Sequence, residues 1–304
     1  MTRFGRNTDG TFDPLEELGG SLLQQFAIDP AVREIIPPEA NVIAHRQTTP
    51  LFGAGLIEAI PDSAIQANAT HAQKDGVKGK VALVQDIASG QMRVGRFGWK
   101  NQQATLLSFA GDAYLNEMGI TNRYFPKENA PNGNEALLAQ FDKVIDPEDE
   151  IDPATGKSDI DRQADFMRLL APPPQLPFTA SAKAGKTIFG QIGCAACHIP
   201  EMHTGPSQIA ALNRKPVYLY SDLLLHDIGS LGDGIAQAAA GPQEMRTAPL
   251  WGLRASAPYL HDGRAPTVDD AIRAHDGEAS PSRDRYLKLK PRALQELLDF
   301  LHSL

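Results

Sequence analysis

Apolar residues recur at helical spacing in two stretches of the second half of the chain. The first stretch carries them at i, i+3, i+4 and i+7, namely at Gly185, Ile188, Phe189 and Ile192. The second, Pro291–Leu301, repeats the spacing with Leu294, Leu297, Leu298 and Leu301. Both patterns predict amphipathic helices. Because Gly185 has no Cβ, another helix could approach it closely. We therefore expect two helices that pack across each other.

A third helix is predicted between Pro266 and Gly277. Thr267, with Asp270 three residues later, forms a capping-box pattern at its start. Gly277 is well placed to end it. The apolar side of this helix would carry Val268, Ala271, Ile272 and His275. The pattern thus predicts that His275 lies on a buried helix face among apolar neighbours.

The only two cysteines of the chain, Cys194 and Cys197, are followed directly by His198. Cys-x-x-Cys-His is the attachment signature of a c-type haem. On a helical turn the three side chains share one face, so both thiols can reach the haem vinyl groups while the histidine binds the iron. A structural zinc site would need four ligands, and a redox-active dithiol would need a βαβ context. A buried pair of inert cysteines is the remaining alternative, and the pattern favours covalent haem.

The second axial ligand of the haem iron has several candidates. His275 has the best local argument, because it is predicted on a buried helix face; its alternative role is to stabilise a helix C-terminus. Met245 and His226 come next, and His261 is a further candidate. Met202 and His203 lie close to the motif in sequence, which argues against their reaching the opposite haem face. With His275 the haem would be bis-histidine, with a reduction potential below that of a His/Met haem.

Glycine and proline divide the chain into short elements. The 26 glycines and 23 prolines indicate many turns and short helices. Residues 171–176 include three consecutive prolines, which forbid a helix, and we expect a linker there. The predicted fold class is mainly α, with cytochrome c-like domains and long loops. A complete cytochrome c domain with covalent haem would span residues 177–304, and a partial haem-domain-like region would span residues 1–170.

Two short blocks of sequence recur in both halves. Thr48–Gly53 and Thr247–Gly252 share four of six residues, and Trp99 and His261 are each followed six residues later by a threonine. If the halves are repeats, the first-half counterpart of the haem motif would fall before Met1. We therefore expect the first half to be a haem domain without its own Cys-x-x-Cys-His, within a longer di-haem protein. Chance similarity is the alternative.

Charge and hydropathy exclude two classes of partner. The net charge of −8, without a basic stripe, argues against nucleic acid binding. No run approaches the roughly 18 apolar residues of a membrane helix. The acidic stretch Asp146–Asp152 lacks EF-hand spacing and is expected to be a solvated loop. The N-terminus has no signal peptide pattern. Covalent haem attachment is nevertheless normally completed outside the cytoplasm, so we expect a periplasmic protein whose leader is not in this sequence.

The run Arg246–Ile272 closely resembles the bacterial di-haem cytochrome c peroxidase superfamily. The stretches Thr49–Pro61, Gly95–Trp99 and Met118–Asn122 are similar to its di-haem oxidoreductase branch. The resemblance implies one haem that takes electrons from a small redox donor and a second haem that reduces hydrogen peroxide. The present chain would be the electron-transfer half. The alternatives are a single-haem electron carrier, and a di-haem oxidase of an organic or protein substrate.

The same resemblance implies roles for individual residues. His275 matches the second ligand of the electron-transfer haem, where the best-known peroxidases carry methionine. Trp99 matches a tryptophan between the two haems, and Glu117 matches an acid/base glutamate at the peroxidatic haem. Ser256 and Pro258 match carbonyl ligands of a calcium ion. Core filling by Trp99 and a solvated helix charge at Glu117 are the alternative interpretations.

Overall fold

Helices provide most of the regular structure, as predicted for a mainly α chain. The structure is a computed structural model that describes residues 1–24, 26–70, 74–144 and 147–304. Asp146 of the acidic stretch therefore lies outside the described residues. The helices are α1 (Ala54–Glu58), α2 (Asp62–Thr70), α3 (Leu106–Met118), α4 (Glu135–Phe141), α5 (Asp159–Leu169), α6 (Ala180–Gln191), α7 (Val268–Ala274), α8 (Ser280–Tyr286) and α9 (Pro291–Leu301).

The strands are short and pair only in antiparallel fashion within the described residues. One sheet has three strands in the order β2-β1-β3, and the pairs β4-β5, β6-β7 and β8-β9 each form a two-stranded ribbon. The strands are β1 (Thr2–Arg6), β2 (Phe12–Asp13), β3 (Val42–Ala44), β4 (Leu83–Gln85), β5 (Met92–Val94), β6 (Met202–His203), β7 (Pro216–Val217), β8 (Leu225–Asp227) and β9 (Glu244–Arg246).

Helices α6 and α9 pack across each other, as the two apolar stripes predicted. Their closest approach is at Gly185, where an added Cβ would overlap the carbonyl of Glu296 on α9. Phe189 of α6 and Phe300 of α9 meet edge to face, with ring centroids 5.4 Å apart. The expected role of Gly185 at this crossing is confirmed.

Helix α7 starts as predicted but ends one turn earlier than Gly277. Thr267 caps it by accepting a hydrogen bond from the backbone N–H of Asp270 at 3.1 Å. His275 lies just beyond the last helical residue, with ψ at 135°. The imidazole Nδ1 of His275 bonds to the carbonyl of Ala271 at 2.7 Å, which is the acceptor that a continued helix would offer to the backbone N–H of residue 275. The ring therefore replaces the last helical hydrogen bond.

The hydrophobic cores are not divided at the predicted linker, residues 171–176. One core joins residues from both sides of it, namely Ile65, Leu106, Met167, Met202, Leu219 and Leu224. A second core is built by α6, α9 and their neighbours in the second half. Residues 171–176 carry no helix or strand, in agreement with their three prolines. The division into residues 1–170 and 177–304 stays a prediction.

The two repeated blocks have the same local structure. Gly53 and Gly252 both have left-handed backbones, with φ of 75° and 74°. Phe97 pairs with Gln103 and Tyr259 pairs with Ala265 in equivalent short loops, and each loop leads into a helix that a threonine caps. The N–H of Gln47 donates to the His261 carbonyl at 2.6 Å, and the N–H of Arg246 donates to the Trp99 carbonyl at 2.9 Å. These reciprocal bonds support an internal repeat.

Candidate cofactor site

A cavity of about 380 Å³ lies where the two halves of the chain meet. The haem motif and the loop after α7 both contribute to its lining. Its walls are mainly apolar, which suits a large planar apolar ligand. The first half contributes Pro50, Phe52, Ile57, Phe97, Leu106 and Phe109, and the second half contributes Phe189, Val268, Ala271, Ile272, Leu297 and Leu301.

Both cysteine thiols line this cavity as free groups. Helix α6 ends at Gln191, and the left-handed backbone of Gly193 turns the chain into a 3-10 turn over Cys194–Ala196. Burial raises the pKa of the Cys194 thiol to about 12, and burial also raises the pKa of the Cys197 thiol. Both groups are therefore protonated thiols at neutral pH, so these cysteines differ from the thiolates of redox enzymes.

His198 and His275 also line the cavity, and the same ring atom is engaged in each. The Nδ1 of His198 bonds to the carbonyl of Tyr220 at 2.9 Å, and the Nδ1 of His275 bonds to the carbonyl of Ala271. Burial lowers the pKa of His198 to about 4 and also lowers the pKa of His275. Each ring is thus neutral, with its proton on Nδ1 and a lone pair on Nε2. A backbone acceptor on Nδ1 is the usual support of a metal-binding histidine.

His226 has a different environment although it lies close to Cys197. Its two ring nitrogens contact the carboxylates of Asp222 and Glu278, each at 2.8 Å. Burial disfavours the charged ring, but the hydrogen bonds to Asp222, Cys197 and Glu278 raise the pKa of His226 to about 12. An imidazolium has no lone pair for iron, so this candidate ligand is occupied. Cys197, Asp222 and His226 could also hold a metal ion, but the charged ring argues against it.

The remaining candidate ligands lie in three different settings. Met245 is buried in β9 and lines the cavity. Met202 is buried in the first core, and its sulfur accepts a hydrogen bond from Asn68 at 3.7 Å. The imidazole of His203 is exposed. His261 lines the cavity and contacts Trp99 edge to face, with ring centroids 6.2 Å apart.

The other predicted site residues are partly brought together. Trp99 lines the cavity, and its indole N–H donates to the carbonyl of Gln47 at 2.7 Å. Ser256 and Pro258 lie in the cavity wall next to His261. Glu117 is exposed near the end of α3 and is not among the lining residues. The structure therefore gathers every predicted site residue except Glu117 at one cavity.

A c-type haem fits this set of groups. Two protonated thiols are the groups that thioether bonds to vinyl carbons require, and two neutral imidazoles supply Nε2 lone pairs for iron. The apolar walls suit the porphyrin faces. The guanidinium of Arg246 also lines the cavity without a carboxylate partner among the described residues, and such a group suits a carboxylate-bearing cofactor.

The sequence comparisons agree with this set of groups. The family model described as "Di-haem oxidoreductase, putative peroxidase" matches residues 36–304. The chain belongs to this di-haem oxidoreductase family. Membership implies a haem c cofactor. The family resemblance carried by Arg246–Ile272 is thereby confirmed.

Two curated relatives and one solved structure are similar to this family member. Cytochrome c peroxidase Ccp of Escherichia coli K12 is 26% identical over 228 residues, which are 68% of this chain and 44% of that protein. Methylamine utilization protein MauG of Methylorubrum extorquens AM1 is 27% identical over 139 residues, 41% of this chain and 35% of that protein. The chain thus spans less than half the length of either relative. A MauG-like protein associated with microbial copper homeostasis is 16% identical, with 88% and 94% of the chains covered and a TM-score of 0.40.

In the part of the chain that the structure describes, none of the helices is both long and apolar enough to cross a bilayer.

Sequence reasoning missed three features of the site. It did not find that residues such as Phe52 and Phe97 of the first half close the cavity, because contacts between distant segments leave no local periodicity. It did not pair His226 with Asp222, because the segment between them is not helical and its sequence has no pattern that brings the two side chains together. It also overlooked Arg246, whose burial is not visible in composition.

Proposed function

We propose that this family member is a c-type haem oxidoreductase that acts as the electron-transfer half of a di-haem peroxidase-like enzyme. One observation carries the proposal: two half-buried thiols and two histidines with free Nε2 atoms line the same apolar cavity. The whole enzyme would reduce hydrogen peroxide with electrons from a small redox donor protein.

Each residue of the cavity has a definite part in holding the cofactor. Cys194 and Cys197 would attach it covalently, and His198 and His275 would offer Nε2 to the iron. The carbonyls of Tyr220 and Ala271 fix both rings in the Nδ1–H tautomer. The bound haem supplies one-electron oxidation and reduction at iron. The two neutral imidazoles and the apolar walls would exclude water from that centre, so that little solvent would reorganise when its charge changes.

This arrangement favours electron transfer over peroxide chemistry at this cavity. Peroxide reduction needs an open iron position and an acid/base group nearby. His198 and His275 would both hold the iron here, and Glu117 is not in the cavity wall. Trp99 and His261 lie in contact at the junction of the halves and would form an electron path to a second haem. A single-haem electron carrier is the alternative that the same geometry allows.

Four further assignments belong to this proposal. Ser256 and Pro258 would offer backbone carbonyls to a calcium ion. Glu117 would serve the second haem of a longer protein. The two halves would be cytochrome c-like domains. Because covalent haem attachment is completed outside the cytoplasm, the protein would be periplasmic.

The proposal is tested by mixing the reduced haem-loaded chain with hydrogen peroxide and following the haem spectrum. We expect a single one-electron redox transition in potentiometry, rapid exchange of electrons with a small mediator, and slow oxidation by peroxide. Fast, multiple-turnover peroxide reduction by this chain alone would contradict the assignment of this haem to electron transfer. Absence of any redox-active haem would contradict the proposed function as a whole.

A further inference from the structure

Arg246 is buried at the end of β9 with most of its hydrogen-bond donors unused. Its Nε–H donates to the carbonyl of Gly98 at 2.9 Å, and its backbone N–H donates to the carbonyl of Trp99. Within the described ranges, the structure gives its Nη1 and Nη2 groups neither a hydrogen-bond acceptor nor a carboxylate. Four N–H donors of the Arg246 guanidinium are therefore available to a ligand at the cavity wall.

Other buried cations of the chain do have carboxylate partners. Arg3 pairs with Glu34 at 3.0 Å, and Lys100 pairs with Asp233 at 2.9 Å. Burial lowers the pKa of Arg246 to about 10, so the group still carries its charge at neutral pH. A buried charge without a counter-charge is strongly unfavourable. An anion supplied from outside the polypeptide would remove that penalty.

The charged groups around Arg246 do not supply such an anion. The buried carboxylate of Asp233 is already shared by Arg46 and Lys100. Asp233 and Arg46 also act electrostatically on His261, as do Asp262 and Arg264 at the rim. Among the lining residues that the structure describes, Glu278 is the sole acid, and it is bound to His226.

We propose that Arg246 is a cofactor-positioning residue that binds a carboxylate side chain of the haem. This inference rests on the proposed function, which puts a haem in the cavity. A guanidinium presents parallel N–H groups that match both oxygens of a carboxylate. Haem c carries two carboxylates on one edge, and the thioether bonds are on the other. Arg246 would thus fix which edge of the porphyrin meets Gly98 and Trp99.

The pairing has a measurable electrostatic consequence. A cation beside the haem favours the reduced iron, so it raises the reduction potential. It also holds the pKa of the bound carboxylate low. Loss of the cation would lower the potential, and would move the pH range over which the potential depends on pH toward higher values.

The test is potentiometry of the haem-loaded chain at several pH values for Arg246→Gln, Arg246→Lys and Arg254→Gln. Arg254 is the matched control, because it also donates to main-chain oxygens, those of Leu304 and Pro174, but does not line the cavity. We expect Arg246→Gln to lower the potential and to shift its pH dependence upward. Arg246→Lys should restore most of the potential, with a smaller shift in its pH dependence. The lysine keeps the positive charge but lacks the paired N–H groups of a guanidinium. Arg254→Gln should match the wild type.

Three results would overturn the inference and leave the proposed function intact. If Arg246→Gln has the wild-type potential and pH profile, no haem carboxylate is bound there. If the potential falls without any change in the pH profile in either Arg246 variant, the charge acts only through space. If added acetate shifts the wild-type spectrum or potential, Arg246 binds a free carboxylate instead. A wild-type chain without covalent haem would instead overturn the proposed function, and with it this inference. Should Arg246→Gln not fold, the pH profile of Arg246→Lys still decides.

Discussion

At the residue scale, His198 and His275 differ from the other histidines at the cavity in what their rings bond. Both use Nδ1 on a backbone carbonyl and keep Nε2 free, whereas His226 is held between two carboxylates. A neutral imidazole with a fixed tautomer can bind a metal. An imidazolium that is hydrogen-bonded to two carboxylates instead balances their negative charge. Position in the cavity alone does not separate the two roles.

Replacement of His275 should open the haem iron. We expect His275→Ala to give a ferric haem with a high-spin spectrum that binds cyanide readily, because an alanine leaves one axial position without a ligand. His203→Ala, at an exposed position, should keep the wild-type spectrum. Optical titration with cyanide measures both. An unchanged spectrum in His275→Ala would move the assignment to Met245, which also lines the cavity.

Asp112 on α3 should make stability depend on pH in the acidic range. Burial raises the pKa of Asp112 from 3.8 to about 6, although a hydrogen bond from Asn116 lowers it. The folded state therefore binds a proton more tightly than the unfolded chain, and stability falls as pH rises from about 4 to about 6. The expected loss is about 1–3 kcal/mol.

Asp112→Asn should remove this loss, because the amide keeps an acceptor for Asn116 but cannot ionise. Chemical denaturation at several acidic pH values measures the unfolding free energy of both proteins. Glu135→Gln, on the exposed face of α4, is the control. Its unfolding free energy should change with pH as that of the wild type does. A wild-type stability that rises between these pH values with the same slope in Asp112→Asn would contradict the expectation.

At the element scale, the local sequence predicts helices well and their last residues less well. The apolar stripes of α6 and α9 and the threonine cap of α7 are local signals, and all three helices are present. The end of α7 depends on a side chain, because the His275 ring takes the carbonyl of Ala271. The two- to five-residue strands leave too short a pattern for the sequence to reveal.

The crossing of α6 and α9 should depend on one glycine of α6 and not on the other. Gly185→Ala would put a methyl group against the Glu296 carbonyl and should cost about 1–3 kcal/mol, or more if α9 cannot shift. Gly190→Ala in the same helix meets nothing within 4 Å and should gain up to about 1 kcal/mol from helix propensity. Thermal unfolding of the two variants measures the contrast. Equal effects would mean that the helices do not approach as described.

At the scale of the whole molecule, the two halves are bound together by reciprocal contacts. Gln47 and Arg246 occupy equivalent places in the repeated blocks, and each donates its backbone N–H to the opposite half. The repeat was visible in sequence because its blocks keep Pro, Leu and Gly at fixed spacing. The sequence did not reveal that both halves close one cavity, since the blocks that meet are some 200 residues apart in a chain of 304.

Denaturing mass spectrometry of the intact chain, produced in cells that attach haem c, tests the proposed cofactor most directly. We predict a species heavier than the 32.9 kDa polypeptide by one haem, with both Cys194 and Cys197 consumed. The double variant Cys194→Ser, Cys197→Ser should carry no covalent haem. A wild-type chain at the mass of the bare polypeptide with two free thiols, or haem retained by the double variant, would contradict a c-type haem at this cavity.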